Sequence, residues 1–352
     1  MKLDARILAL LAALLFGASA PFSKLLLIDF KPIQLAGFLY LGSGLGLSLI
    51  KLFQVTLFKH ENYEAKINKN EIKWLAGAVI CGGILAPIIL MMGLSRTPAS
   101  TTSLLLNFEA VSTAIIAFIF FKEQIGKKLW LSIMLITIAS IILSLDLTGK
   151  WGLSIGSIGI LIACVLWGLD NNFTRNISMK DPYIIVIVKG MVSGTFSIIL
   201  SMVLGYKFPE INKIIYGLVL GSITYGLSLF LFVLALRNLG SSRTSAFFGL
   251  APFLGAIISL LVFKEFGNIL FYISLPFMIL GAYLLFYEKH DHIHIHNEWI
   301  HEHKHGHDDK HHKHKHKNDE VIEDEYHTHL HKHEIIEHKH EHFPDIHHRH
   351  VH

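Results

Sequence analysis

The chain has 352 residues, of which 52% are hydrophobic and only 16% charged, with two Cys and a formal net charge of +4. Soluble domains carry about 25% charged residues, so a string of ordinary soluble domains is excluded. Residues 1–287 hold 22 Lys and Arg against 12 Asp and Glu, a balance of +10. From Glu288 onward 9 basic residues face 15 acidic ones, a balance of −6 with His neutral, and all but one of the 24 His follow Lys289.

A bilayer core about 30 Å thick is crossed by about 20 apolar helical residues. Ten runs of that kind are predicted: 5–27, 33–53, 74–95, 99–121, 129–147, 153–175, 183–204, 212–236, 242–263 and 269–287. Lipid offers no partner to backbone N–H and C=O groups, so each run is predicted to be a helix. In the first run Ala18-Ser19-Ala20 looks like a signal-peptide cleavage site, yet the apolar character continues past Pro21 to Ile28, so the run reads as a span. Gly42, Gly44 and Gly46 in the second run follow no strand, so they read as close-packing positions rather than a phosphate loop. Pro87, Pro252 and Pro276 interrupt later runs and are candidate hinges or static kinks. Cys81 and Cys164 fall inside runs, so a disulfide framework is not indicated. With a cytoplasmic N-terminus, fourteen Lys and Arg fall in inner loops and seven in outer ones, the bias expected of a plasma or bacterial inner membrane. Ten spans then place the C-terminal tail in the cytoplasm too.

The body repeats itself. At an offset of 142, Ser103-Leu104-Leu105-Leu106 faces Ser245-Ala246-Phe247-Phe248, and Phe121-Lys122-Glu123 faces Phe263-Lys264-Glu265. At an offset of 151, Phe16-Gly17 faces Trp167-Gly168, and Phe22-Ser23-Lys24 faces Phe173-Thr174-Arg175. Five spans per half is an odd number, so the halves enter the membrane in opposite senses, the plan of many secondary transporters. The predicted fold is an all-α integral membrane protein of ten transmembrane helices in two inverted five-helix repeats, 1–147 and 148–287. A disordered His-rich tail, 288–352, completes it.

These features resemble the drug/metabolite transporter superfamily, EamA type. Five spans per half, an aromatic-Gly pair followed by Phe-[Ser/Thr]-[Lys/Arg] in the first span of each half, and a fourth span ending in Lys-Glu carry the likeness, which covers residues 5–287. Pro252, thirteen residues before Glu265, also matches. The resemblance implies export or uptake of small metabolites by alternating access, with both termini cytoplasmic. One departure is that Ala110 stands where the second half has Pro252, beside Glu109, where the family pattern is apolar.

Charge at the centre of a span costs about 2.5–3.5 kcal/mol on insertion scales. Three groups in the body carry it: Glu109 in span four, Asp170 in span six and Lys189 in span seven. Helical spacing puts Glu109 with Thr113, Asp170 with Thr174, and Asn171 with Arg175. A polar centre formed by spans four, six and seven is therefore predicted. Glu109 has two readings: a structural ion pair with Lys189 or Arg175, or a ligand for a cationic group and proton carrier. A carboxylate in a low-dielectric site can change charge near neutral pH. Lys189 reads as a counter-charge. Asn107, Asn171 and Asn172 either orient a polar substrate or bind helices together.

In the tail His alternates with other residues: His290, His292, His294 and His296, then His301, His303, His305 and His307. His311, His312, His314 and His316 follow, then His327, His329, His331 and His333, and finally His338, His340 and His342. Neutral imidazole binds Zn, Ni, Cu and Co, so metal binding by the tail is predicted, with no cofactor required by the body.

Three functions are open: a secondary transporter for a small polar organic metabolite, a transition-metal transporter with the tail as collector, and a non-transporting membrane metal sensor. An enzyme is not indicated, and neither is a nucleic-acid partner. The single His of the body, His60, lies in a loop, which favours the organic substrate.

Overall fold

The computed structural model describes residues 4–58, 67–121, 126–145, 154–177, 180–239, 247–264, 267–286, 290–296, 299–306, 326–333 and 336–342. Its body is helical. The first span runs through α1 (Ala5–Gly17) and α2 (Ser19–Leu26), and α3 (Pro32–Phe58) forms the second. The third combines α4 (Ile72–Ala78), a π-helical stretch Val79–Leu85, and α5 (Ala86–Ser95). Span four is broken into α6 (Ala99–Leu105) and α7 (Phe108–Phe121). Then come α8 (Lys127–Ser144), α9 (Ile155–Arg175) and α10 (Pro182–Val203). The eighth span joins α11 (Ile211–Gly221), a second π-helical stretch Ser222–Leu227, and α12 (Ser228–Leu239). The last two helices are α13 (Ala251–Phe263) and α14 (Ile269–Phe286).

Eight of these helical stretches are long and apolar enough to cross a bilayer. The ninth and tenth predicted runs are represented by shorter apolar helices, Ala251–Phe263 and Ile269–Leu284. The ninth begins after a turn at Gly249 and Leu250, and residues 240–246 before it lie outside the described residues.

The surface is inverted relative to a soluble protein. Ile119, Phe120, Val203 and Leu261 are 60%, 71%, 78% and 71% exposed, whereas Ser132, Ser193 and Ser228 are fully buried. Lipid tails are as apolar as Leu, so burying Leu gains little in a membrane; small and hydroxyl side chains gather inside because they let helices approach and hydrogen-bond across the gap. Ser228 donates to the Ala12 carbonyl at 2.8 Å, Ser132 to Gly281 at 2.6 Å, and Ser222 to Gly42 at 2.7 Å. The glycines of α3 serve this packing: a side chain on Gly42 would meet the Leu218 backbone, and one on Gly44 would meet Met191.

Helix neighbours come in matched sets. α3 packs along α10, α8 along α14, and α6 on α13. α1 packs on α12 as α9 packs on α5, and α1 on α13 as α9 on α7. Ion pairs tie the helix ends: Lys51 to Asp181 at 2.7 Å, Lys180 to Glu71 at 3.4 Å, and Lys213 to Asp29 at 2.9 Å.

Pro87 lies inside the continuous helical span Lys69–Ser95, directly after the π-stretch, so its missing N–H leaves a carbonyl one turn back open to other donors. Pro252 opens α13 just after the turn at Gly249 and Leu250, where the predicted run 242–263 is broken. Pro276 lies in the interior of α14. One expectation changes. The tail was expected to lack regular structure. Its described residues instead form four strands, β1 (His290–His296), β2 (Trp299–Gly306), β3 (Tyr326–His333) and β4 (Ile336–His342). The His-x-His alternation has the two-residue period of a strand, which explains the difference. β1 pairs antiparallel with β4, and β2 with β3. His307, His311, His312, His314 and His316 lie outside the described residues. So do Lys122, Glu123 and Glu265 of the repeated blocks, and both predicted domain boundaries.

Candidate functional site

The polar centre begins at the break in span four. A turn at Leu106 and Asn107 ends α6 and starts α7, leaving the carbonyls of α6's last turn short of helical partners. The Asn107 amide donates to the Leu104 carbonyl at 3.1 Å, and the Cys164 thiol lies 3.6 Å from the Leu105 carbonyl. Asn107 thus repairs its own break; it is buried and its amide is turned to the backbone.

Glu109 stands in the first turn of α7. Free N–H groups at a helix start favour a negative charge there. Its carboxylate accepts from the Asn171 amide at 2.8 Å, and the same amide lies 3.2 Å from the Thr113 hydroxyl. The predicted sharing of one face by Glu109 and Thr113 is therefore realised, with one α9 amide reaching both. Glu109 thus meets span six across the helix interface through this amide. It is half-buried and Asn171 exposed.

Asp170 has a different setting. It is 3% exposed and forms an ion pair with Lys189 of α10, while Thr174 donates to its second oxygen at 3.1 Å. The π-helical stretch of span three crosses directly over this pair. A side chain on Gly82 would overlap the Asp170 carboxylate, and one on Gly83 the Ser193 hydroxyl. A π-turn offsets the helical ladder, and the Gly82 carbonyl takes two outside donors: Tyr40 at 2.7 Å and the Trp167 indole N–H at 3.0 Å. Tyr225, in the π-stretch of span eight, is hydrogen-bonded to Ser19 and packs on Tyr40 and Phe16, with ring centroids 5.5 and 5.9 Å apart.

Of the three spans predicted to form the centre, span six meets both others: span four through Asn171 and span seven through Asp170. Lys189 pairs with Asp170, not with Glu109. Asn172 donates to the Thr113 carbonyl at 3.1 Å and the Gly168 carbonyl at 2.8 Å, so it joins α9 to α7. Arg175 lies in the last turn of α9, one turn beyond Asn171. Sequence reasoning missed Tyr40, Tyr225 and Gly82. The signal available was the matched aromatic-Gly pair, because Phe16 and Trp167 each contact one of the two π-helical spans. Among the described residues of the helical body, no three or more His, Cys, Asp or Glu side chains gather closely enough to hold a metal ion.

Helices that expose large apolar side chains and enclose a charged, hydrogen-bonded centre define a multi-pass integral membrane protein. The profile of the EamA-like transporter family matches residues 5–145 and again residues 154–287, and the chain belongs to that family. An uncharacterized transporter of Methanothermobacter thermautotrophicus is 26% identical over 293 residues, covering 79% of this chain and 84% of that protein. The uncharacterized transporter YyaM of Bacillus subtilis is 24% identical, covering 70% of this chain and 82% of its own. A solved structure described only as "Crystal structure of protein" superposes with a TM-score of 0.57 at 13% identity, over 80% of this chain and 94% of that one, a likeness of fold.

Proposed function

We propose that the protein is a secondary active transporter that moves a small polar organic metabolite by alternating access, with a proton carried on Glu109. One observation carries this reading: a carboxylate lies inside the bundle, held by an amide and a helix start, while the lysine of the same centre, Lys189, is paired with Asp170 instead. Its neighbour Asp170 is already neutralised by Lys189. Glu109 is thus the acidic group at the centre free to exchange a substrate cation for a proton.

Alternating access needs two halves that rock against each other. We read residues 1–147 and 148–287 as inverted five-helix repeats. The matched helix neighbours support this, as do the π-stretches in spans three and eight and the turns that divide spans four and nine. The ion pairs at helix ends support the assignment of loops to two sides, and the Lys and Arg bias is what reads the side of both termini as cytoplasmic. Lys51, Glu71, Lys180 and Asp181 all fall on the side assigned inward, and Lys213 with Asp29 on the side assigned outward. The tail is read as a cytoplasmic accessory that binds divalent transition metals.

The test uses purified protein in liposomes under an imposed pH gradient, first screened against amino acids, nucleosides and amines. Glu109→Gln keeps the amide contact but cannot carry a proton, so pH-driven uptake should vanish while binding of a neutral substrate persists. Unchanged pH-driven uptake would make Glu109 structural. Saturable flux of nickel or zinc by protein lacking residues 290–352 would replace the organic substrate with a metal ion.

A further inference from the structure

The tail's strands pair in a register that sequence alternation alone does not impose. In the first ribbon His290 faces His342, His292 faces His340, and His294 faces His338. In the second, His301 faces His331, His303 faces His329, and His305 faces His327. All six pairs continue one hairpin register, because each pair of numbers has the same midpoint, 316.

Keeping that register across both ribbons demands something of the sequence. His occupies even positions through His296 and odd positions from His301, a step of five. An odd step moves the following histidines to the other face of a strand, and alone it would put the second ribbon out of phase. The returning chain makes the same step, from His333 to His338. The two shifts cancel, so histidine stays opposite histidine on both sides of the break. Each ribbon thus has one face with three cross-strand His pairs.

We infer that the tail is a two-ribbon binding site for late first-row divalent ions, in which each metal is held by histidines facing one another across strands rather than by neighbours along one strand. This rests on the proposal that the tail binds metal at all. The chemistry favours the facing pair. Directly opposed residues have Cβ atoms about 5 Å apart, whereas i and i+2 in one strand stand about 6.8 Å apart. Two adjacent facing pairs offer four neutral imidazoles, a donor set suited to Zn, Ni, Cu or Co. A metal bound across the strands also closes the hairpin. The metal-free ribbon loses that tie, so metal level would set whether the tail is zipped.

The experiment titrates full-length protein in detergent with Ni(II), with protein lacking residues 290–352 as the blank. One variant exchanges neighbours in β3: Tyr326→His with His327→Tyr, Thr328→His with His329→Thr, and Leu330→His with His331→Leu. Composition and the His-x-His spacing survive, but those histidines leave the face shared with β2. Affinity of that ribbon should fall about tenfold. A second variant adds the matching exchange in β2: His301→Glu with Glu302→His, His303→Lys with Lys304→His, and His305→Gly with Gly306→His. Positions 302, 304 and 306 then face 330, 328 and 326, and affinity should return to within about twofold of the parent. Equal affinity in the first variant, or failure of the second to restore it, overturns the ribbon and leaves the tail's metal binding intact. No binding by the parent beyond the blank overturns the metal reading itself.

Discussion

Two carboxylates stand close together in this membrane centre and live by different rules. Asp170 is sealed beneath the π-turn of span three, with a lysine and a threonine on its oxygens. Glu109 sits half-buried at the break in span four and answers to one amide. The first is a fixed charge whose counter-ion cannot leave without cost. The second is a charge kept available. An intramembrane acid is therefore not functional by depth alone; its partners decide whether it is a strut or a site.

The sharpest way to break this contrast is to remove one partner of the strut. Asp170→Asn or Lys189→Met alone leaves an uncompensated buried charge, or an unpartnered remnant of the pair. Loss of about 3–5 kcal/mol of stability is expected, read by thermal unfolding in detergent. The double change Asp170→Leu with Lys189→Met should recover most of that loss, since apolar pairs of similar size often replace buried ion pairs at little cost. Equal destabilisation in the double variant would show that the pair holds more than its own charges.

A smaller effect is expected from the roof over the strut. Gly82→Ala places a methyl group on the Asp170 carboxylate and should cost about 1–3 kcal/mol by overpacking. A neutral outcome would mean that the π-turn yields and does not clamp the pair. Smaller again is Glu109→Gln, whose stability should change by less than about 1 kcal/mol because the Asn171 contact remains available and Lys189 keeps its partner Asp170. A loss as large as that of Asp170→Asn would make the two acids alike and remove the contrast. Least of all, Ser132→Ala deletes one interhelical hydrogen bond to Gly281 and should cost about 0.6 kcal/mol. It calibrates what an ordinary polar contact is worth in this bundle.

Much of the site could be read from the chain. Glu109, Asp170 and Lys189 are conspicuous because charge inside an apolar run is expensive, and helical spacing correctly put Thr113 beside Glu109 and Thr174 beside Asp170. The pairing of Lys189 could not be read. Either acid lies within reach of a long lysine side chain, and the choice turns on how α10 approaches α9. Tyr40 and Tyr225 were hidden for a related reason: a tyrosine in an apolar run is unremarkable until a carbonyl or a serine is found at its hydroxyl.

Apolar runs of bilayer length, and histidine alternation in the tail, belong to the sequence, because both are periodicities along one chain. They are enough to dictate helices in the body and to separate it from a polar appendage. The break in span four, the two π-turns and the counter-ion of Asp170 arose only from packing. Each depends on which carbonyl or charge a distant segment brings alongside, and linear spacing holds no record of that.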